Sequence, residues 1–246
     1  MRIIWNILEM VETILFEDFE AVDSLDNLTL FGKGTGWAVE RTTDRPISGI
    51  ASCMLITPAQ KYMMASVNNA QWADPHPVTF EVRGAELDFL LDEKPLTFEV
   101  AIEILSGTEF HQCSIRWVQD EYFPNGMWQY WDVTWKNLVE MPLERGVKHH
   151  LKLVVDHKND RYGYLTIDGT TIDMRHLPFN RKAQTGTPNV WTSVLLWTHV
   201  DERSTAIIDN LLFTKGESVT PISPLELLTR AALSAATGVG LILLLL

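Results

Sequence analysis

Between Ile14 and Lys215, apolar and polar residues alternate in short runs, and clusters of Gly, Pro, Asn or Asp separate the runs. Leu96–Leu105 is the clearest case. Phe98, Val100, Ile102 and Ile104 share one face of a period-two ribbon, and Glu99, Ala101 and Glu103 share the other. A β-strand has this period because successive side chains point to opposite sides, whereas an α-helix repeats every 3.6 residues. Similar runs cover Gln112–Val118, Trp128–Trp135, His149–Asp156, Gly163–Ile167, Thr171–Met174, Val190–His199 and Ala206–Thr214. Asp168-Gly169 lies between two of them. Such a pair suits a two-residue hairpin, whose central positions take positive φ. No long amphipathic helix interrupts the series and no internal repeat is present. The pattern predicts a single all-β, two-sheet antiparallel sandwich of roughly twelve to fourteen strands.

Both ends depart from this texture. Ile4, Ile7, Leu8, Val11, Ile14 and Leu15 recur at helical spacing, which fits a short amphipathic helix or a leading edge strand. Glu9 and Glu12 interrupt that stretch, and it has no small-residue cleavage site, so it does not read as a signal peptide. At the other end, Pro221 and Pro224 precede a run from Ala231 to Leu246 without any charged residue. As a helix that run spans about 24 Å, and beginning at Leu227 with Arg230 snorkelling brings it to the roughly 20 residues a bilayer core needs. A docked hydrophobic helix and a C-terminal membrane anchor are both open. The expected organisation is an apolar segment at 1–13, the sandwich at 14–219, and a linker with a hydrophobic C-terminal helix at 220–246. The pattern leaves the compartment undecided.

Composition narrows the partners. The chain of 246 residues carries 20 basic against 32 acidic side chains, a net charge of −12. With no Lys/Arg run, it is a poor receptor for nucleic acid or any other polyanion. Cys53 and Cys113 allow neither a disulfide framework nor a zinc-knuckle spacing, and two free buried thiols are expected. The nine tryptophans are the unusual feature.

Leu15-Phe16-Glu17-Asp18-Phe19-Glu20 near the start, Gly36-Trp37 after it and Ile208-Asp209-Asn210-Leu211-Leu212-Phe213 near the end are similar to the opening and closing strands of concanavalin A-like lectin/glucanase domains. The stretch His149–Asp156 followed by Tyr164–Gly169 resembles their strand, turn and Asp-Gly strand. The resemblance covers about 200 residues. It implies a jelly roll whose concave sheet face often binds carbohydrate, and places the first and last strands side by side. Asp18, Glu20 and Asp209 would then meet, and a structural Ca²⁺ ion would neutralise them, since calcium takes six to eight oxygens at about 2.3–2.6 Å. Without a metal, Asp209 caps a turn and the other two stay solvated.

Sugar rings stack their C–H faces on aromatic planes and hydrogen-bond through hydroxyls to carboxylates and amides. In Trp128–Trp135, alternation puts Trp128, Tyr130, Asp132 and Thr134 on one face, expected to meet ligand. Gln129, Trp131, Val133 and Trp135 fall on the other, with Trp131, Val133 and Trp135 expected in the core. Glu99, Glu103, Arg116, Trp197 and His199 complete the expected glycan-binding set, with Trp117 and Trp191 in flanking strands.

Catalysis reads less well. Glu99 and Glu103 are separated by roughly 13 Å along the strand, beyond the 5–10 Å of a glycosidase pair. Glu86-Leu87-Asp88 resembles the start of a laminarinase-like catalytic strand, but Leu90 and Leu91 stand where a third carboxylate belongs. Tyr122–Gln129 is similar to a segment of alginate lyases, with Pro124 in place of a Lys and Trp128 in place of a Tyr; His111, Arg116 and Tyr130 are what remains for a lyase site. Adjacent His149 and His150 point to opposite faces and cannot share a metal. The leading expectation is a lectin-like domain binding a polysaccharide or glycan. The alternatives are a hydrolase or lyase with an unusual site and a structural or adhesive membrane-tethered module.

Overall fold

A computed structural model describes residues 11–69, 78–92 and 96–221. They form two eight-stranded antiparallel sheets packed face to face. The first sheet runs in the order β13 (Thr170–Asp173), β12 (Arg161–Ile167), β11 (His149–Asp156), β6 (Val82–Leu91), β16 (Thr205–Lys215), β4 (Ser52–Ile56) and β3 (Ala38–Thr42). The second runs β10 (Thr134–Glu140), β9 (Met127–Asp132), β8 (Glu109–Gln119), β7 (Leu96–Leu105), β15 (Asn189–Thr198), β5 (Met64–Asn68) and β2 (Thr29–Lys33). In addition β1 (Glu12–Glu17) pairs with β16, and β14 (Asn180–Ala183) pairs with β8. The apolar positions of the sequence pattern meet between the sheets: Phe89 of β6 stacks on Phe98 of β7 with ring centroids 4.7 Å apart, and Trp117 and Trp128 are fully buried beside them.

The predicted sandwich is therefore present, with sixteen strands among the described residues where roughly twelve to fourteen were expected, and β7 and β11 span the residues expected of them. Asp168 and Gly169 turn the β12–β13 hairpin with φ of 47° and 80°, as a two-residue turn of this hand demands. The expected first and last strands do lie together, Glu12–Glu17 against Leu211–Lys215. A register shift between Asp209 and Leu212 in β16, with Asn210 at φ 49°, bends that strand. Its one edge then takes β4 before the shift and β1 after it.

One expected strand is two. Trp128–Trp135 folds back at Val133, so that Thr134 pairs with Asp132 and Trp135 with Trp131. Val133 sits at φ 62°, an unusual conformation for a β-branched residue, and no Gly or Asn marks the turn. Residues 222–246, including the expected hydrophobic C-terminal helix, and residues 1–10 lie outside the described residues. Among the described residues no helix is long and apolar enough to cross a membrane. Cys53 and Cys113 are both free and buried.

Candidate functional site

The outward face of the second sheet collects the chemistry. Register defines it row by row. Phe31 of β2 lies opposite Ser66, Ser66 opposite Leu195, Leu195 opposite Glu99, Glu99 opposite Arg116, Arg116 opposite Gln129, and Gln129 opposite Asn137. Four residues along, Glu103 lies between Trp191 and Gln112. In the other direction Thr97 lies between Trp197 and Val118. Small residues Ser193, Ala101 and Ser114 separate the rows on the three central strands.

Each glutamate is held by an indole. Trp197 Nε1–H donates to Glu99 at 3.2 Å, and Trp191 Nε1–H donates to Glu103. Arg116 Nε–H donates to Gln129 Oε1 at 2.8 Å, and Gln129 Nε2–H passes on to Asn137 Oδ1 at 2.8 Å. The Arg116 guanidinium lies over the Trp135 ring, 4.0 Å from its centroid, and Trp131 meets Trp135 edge to face at 5.1 Å. From beneath, Tyr162 of the first sheet reaches across the core. Its hydroxyl accepts the Ser114 N–H at 3.1 Å and lies 2.9 Å from the Ser114 and Trp131 carbonyls, donating its proton to that pair. This cross-sheet tie fixes β8 against β9, and so the height of Trp131 beside Arg116.

Burial sets the electrostatics. It raises the Glu99 carboxyl to about 7, helped by the charge of Glu103 and opposed by Arg116. Burial also raises Glu103, against hydrogen bonds from Trp191 and Gln112. Arg116 is lowered to about 10 by burial and stays a cation at neutral pH. Glu99 binds a proton more tightly in the folded chain than in the unfolded one, so its stabilising protonation is complete at low pH. That contribution is lost as pH rises from the ordinary 4.5 through about 7, a change of about 3 kcal/mol at full burial. Burial of His157 and His111 lowers both imidazoles and gives the opposite slope: stability falls as pH drops through 6.5. The two trends separate in a difference measurement. Glu99→Gln is expected to raise the melting temperature over the parent at pH 8 and not at pH 5.

Of the expected binding residues, Glu99, Glu103, Arg116 and Trp197 come together on this face. His199 follows at its end, with Nε2 2.6 Å from Thr97 Oγ1. Trp128 and Tyr130 do not join them, and here the expected assignment of faces is corrected. Trp128 pairs with Trp117 and Tyr130 with Ile115, both core residues of β8, and all four are buried between the sheets. Trp131 and Trp135, expected in the core, form the outward set together with Gln129. Asp132 is held at the hairpin by an ion pair with Lys136. Tryptophan occurs on both faces of this stretch, so composition alone could not tell inside from outside. Of the remaining lyase candidates, His111 is buried, stacked on Phe80 with centroids 4.6 Å apart. Glu86 and Asp88 lie on the first sheet, paired with His150, Lys152 and Lys148, while His149 turns the other way to Asp168 at 2.6 Å.

The acidic residues near the chain ends are engaged separately. Asp18 Oδ1 accepts the Glu20 N–H at 3.1 Å, and Glu20 accepts the Ile50 N–H at 3.0 Å. Asp209 is wholly buried; its Oδ2 accepts the Ser48 N–H at 3.0 Å and the Ser48 and Ser52 hydroxyls at 2.9 Å each. Among the described residues no group of three or more His, Cys, Asp or Glu side chains is arranged to hold a metal ion. Calcium is left as a proposal without a gathered ligand set.

Solved structures share the two-sheet arrangement. The chain matches an endo-beta-1,4-glucuronan lyase from the fungus Trichoderma reesei at a TM-score of 0.50 and 12% identity, over 83% of this chain and 96% of that one. It matches the carbohydrate recognition domain of Emp46p at 0.50 and 13%, over 84% and 97%. The fold is a concanavalin A-like jelly roll. A sialidase matches at 0.51 and 10% over 83% of this chain, which spans 19% of that protein's length. No protein-family model and no curated protein matches the sequence. At these identities the likeness shows the jelly roll and leaves activity to the site.

Proposed function

We propose that this jelly roll is a carbohydrate-binding domain that holds a polysaccharide or glycan on the outward face of its second sheet. The observation that carries the reading is the repeated carboxylate–indole pair, Trp191 with Glu103 and Trp197 with Glu99. Each pair sets an apolar ring plane beside a fixed acceptor, which is what a pyranose presents in complement: a C–H face and a rim of hydroxyls. Arg116, Gln129 and Asn137 continue the polar line, and Trp131 and Trp135 flank it. The net charge of −12 favours a neutral glycan over a polyanionic one. Glycan recognition by the Emp46p domain, a jelly roll of similar extent, supports the same reading.

The test is a glycan array with the purified chain, followed by titration of the strongest neutral hit. Trp197→Ala and Trp135→Ala are each expected to weaken binding by about 10- to 100-fold, a loss on the scale of 1–3 kcal/mol, with little change in melting temperature. Full affinity in both variants would remove this face as the site.

The second reading, a polysaccharide-cleaving enzyme, is favoured by one observation, the Glu99 carboxyl at about 7, where it could trade protons at neutral pH. Glu103 stands four positions away, roughly 13 Å along the strand and outside the reach of a carboxylate pair. Reducing-sugar release, or formation of unsaturated uronate, that Glu99→Gln abolishes would establish the enzyme.

A further inference from the structure

Where β7 and β15 leave this face, a pocket of about 240 Å³ opens among Lys61, Tyr62, Asp120, Glu121, Tyr122 and His199. It is joined to the face by specific bonds. Thr97, directly opposite Trp197, meets His199 Nε2 at 2.6 Å. The Tyr62 N–H donates to the Thr198 carbonyl at 2.9 Å, and the Tyr62 ring stands edge-on to His199 with centroids 5.9 Å apart. On the opposite loop, Asp120 Oδ1 accepts the N–H groups of Tyr122 and Phe123 at 2.9 and 3.0 Å. That turn holds Tyr122 out from the surface. Tyr62 and Tyr122 remain 58% and 77% exposed, so neither ring is spent on the core.

We infer that this pocket is a further sugar subsite, taking a neutral pyranose ring of the same glycan that the sheet face binds. The inference rests on the face reading and extends it along the strands from Trp191 and Glu103, past Trp197 and Glu99, to the pocket. The lining selects the class of sugar. Two carboxylates, Asp120 and Glu121, stand against one ammonium, Lys61, whose Nζ lies 5.2 Å from the Tyr62 ring centroid. Burial lowers His199, so it offers a neutral imidazole in place of a second cation. This lining suits hydroxyls and repels a uronate or sialate, and the two tyrosines supply ring faces with a polar tip.

The experiment titrates the full chain with cello-, laminari- and manno-oligosaccharides of three and six units, with hexagalacturonate as the acidic control. At least one neutral hexasaccharide is expected to bind more tightly than its trisaccharide. Tyr62→Ala and Tyr122→Ala should each lower hexasaccharide affinity about 3- to 10-fold, a single stacking contact, while melting temperatures stay unchanged. Trp197→Ala should weaken both lengths. Hexasaccharide binding that falls with Trp197→Ala but is indifferent to both tyrosine variants would overturn the subsite and leave the face reading standing. Hexagalacturonate bound best, and through the tyrosines, would overturn the neutral-sugar assignment. No binding of any neutral hexasaccharide would overturn the subsite, and an empty glycan array would take the face reading with it.

Discussion

Trp128→Ala is expected to destabilise the sandwich by about 3–5 kcal/mol, the cost of a large cavity in a packed core. Trp131→Ala, three residues further along β9, and Trp135→Ala, its partner on β10, lie on the partly exposed face and should each cost well under half of that. Trp128 is fully buried against Trp117 and Tyr130 in the continuous apolar cluster between the sheets, and its side chain has no route to relax outward. Denaturant unfolding of the three variants reads the order directly, at unchanged m-value if two-state behaviour holds. The reverse order would mean that β9 is slipped by one residue, since a one-residue slip exchanges the two faces of a strand.

Asp209→Ala is expected to be of similar size, about 3–5 kcal/mol, for a different reason: several buried donors lose their acceptor at once, each at about 1–3 kcal/mol. The carboxylate is wholly buried and gathers the Ser48 amide, the Ser48 and Ser52 hydroxyls and the Asn210 amide, the last at 2.8 Å. Its removal strands donors that the surrounding backbone cannot satisfy. Its charge also adds to burial in holding the Cys53 thiol far above its ordinary range, so thiol labelling of Cys53 should accompany the loss of stability. Thermal melts with chelator and with excess calcium distinguish this from a metal site. On the hydrogen-bonding account the wild-type melting temperature ignores both. A calcium-dependent rise that Asp209→Asn removes would replace the account with a metal at the chain ends.

The sequence carried the sandwich wherever one face of a strand was wholly apolar. Phe98, Val100, Ile102 and Ile104 leave no ambiguity about β7, and its outward glutamates follow at once. Trp128–Trp135 offered no such contrast. Its turn rests on Val133 at φ 62°, with none of the residues that usually announce a hairpin, and both faces carry tryptophan. What decides its faces is the pairing of Trp128 with Trp117 and of Tyr130 with Ile115, a register set by non-local strand contact.

The site was half legible for a related reason. The residue types that bind sugar were visible, but the carboxylate–indole pairs join Glu99 to Trp197 and Glu103 to Trp191, 98 and 88 residues apart. No local spacing encodes such a pair; only the adjacency of β7 and β15 does. Asp209 was likewise beyond local reading. The side-by-side end strands that the resemblance implies set it near Asp18 and Glu20 and suggested a cation; the fold also brings it donors from Ser48 and Ser52, 161 and 157 residues away.

The most direct test of glycan binding on this face uses the two indole N–H groups that the carboxylates hold. In a chain labelled with ¹⁵N at the tryptophan indoles, titration with the strongest neutral glycan from the array should shift the Nε1–H signals of Trp191 and Trp197. Those of Trp117, which donates to the Met141 carbonyl at 2.9 Å, and of Trp128 should stay in place. Saturable shifts at Trp191 and Trp197 with none at Trp117 and Trp128, and an affinity that Trp197→Ala lowers, are the predicted result. A glycan that binds while both of those signals stay still would contradict it.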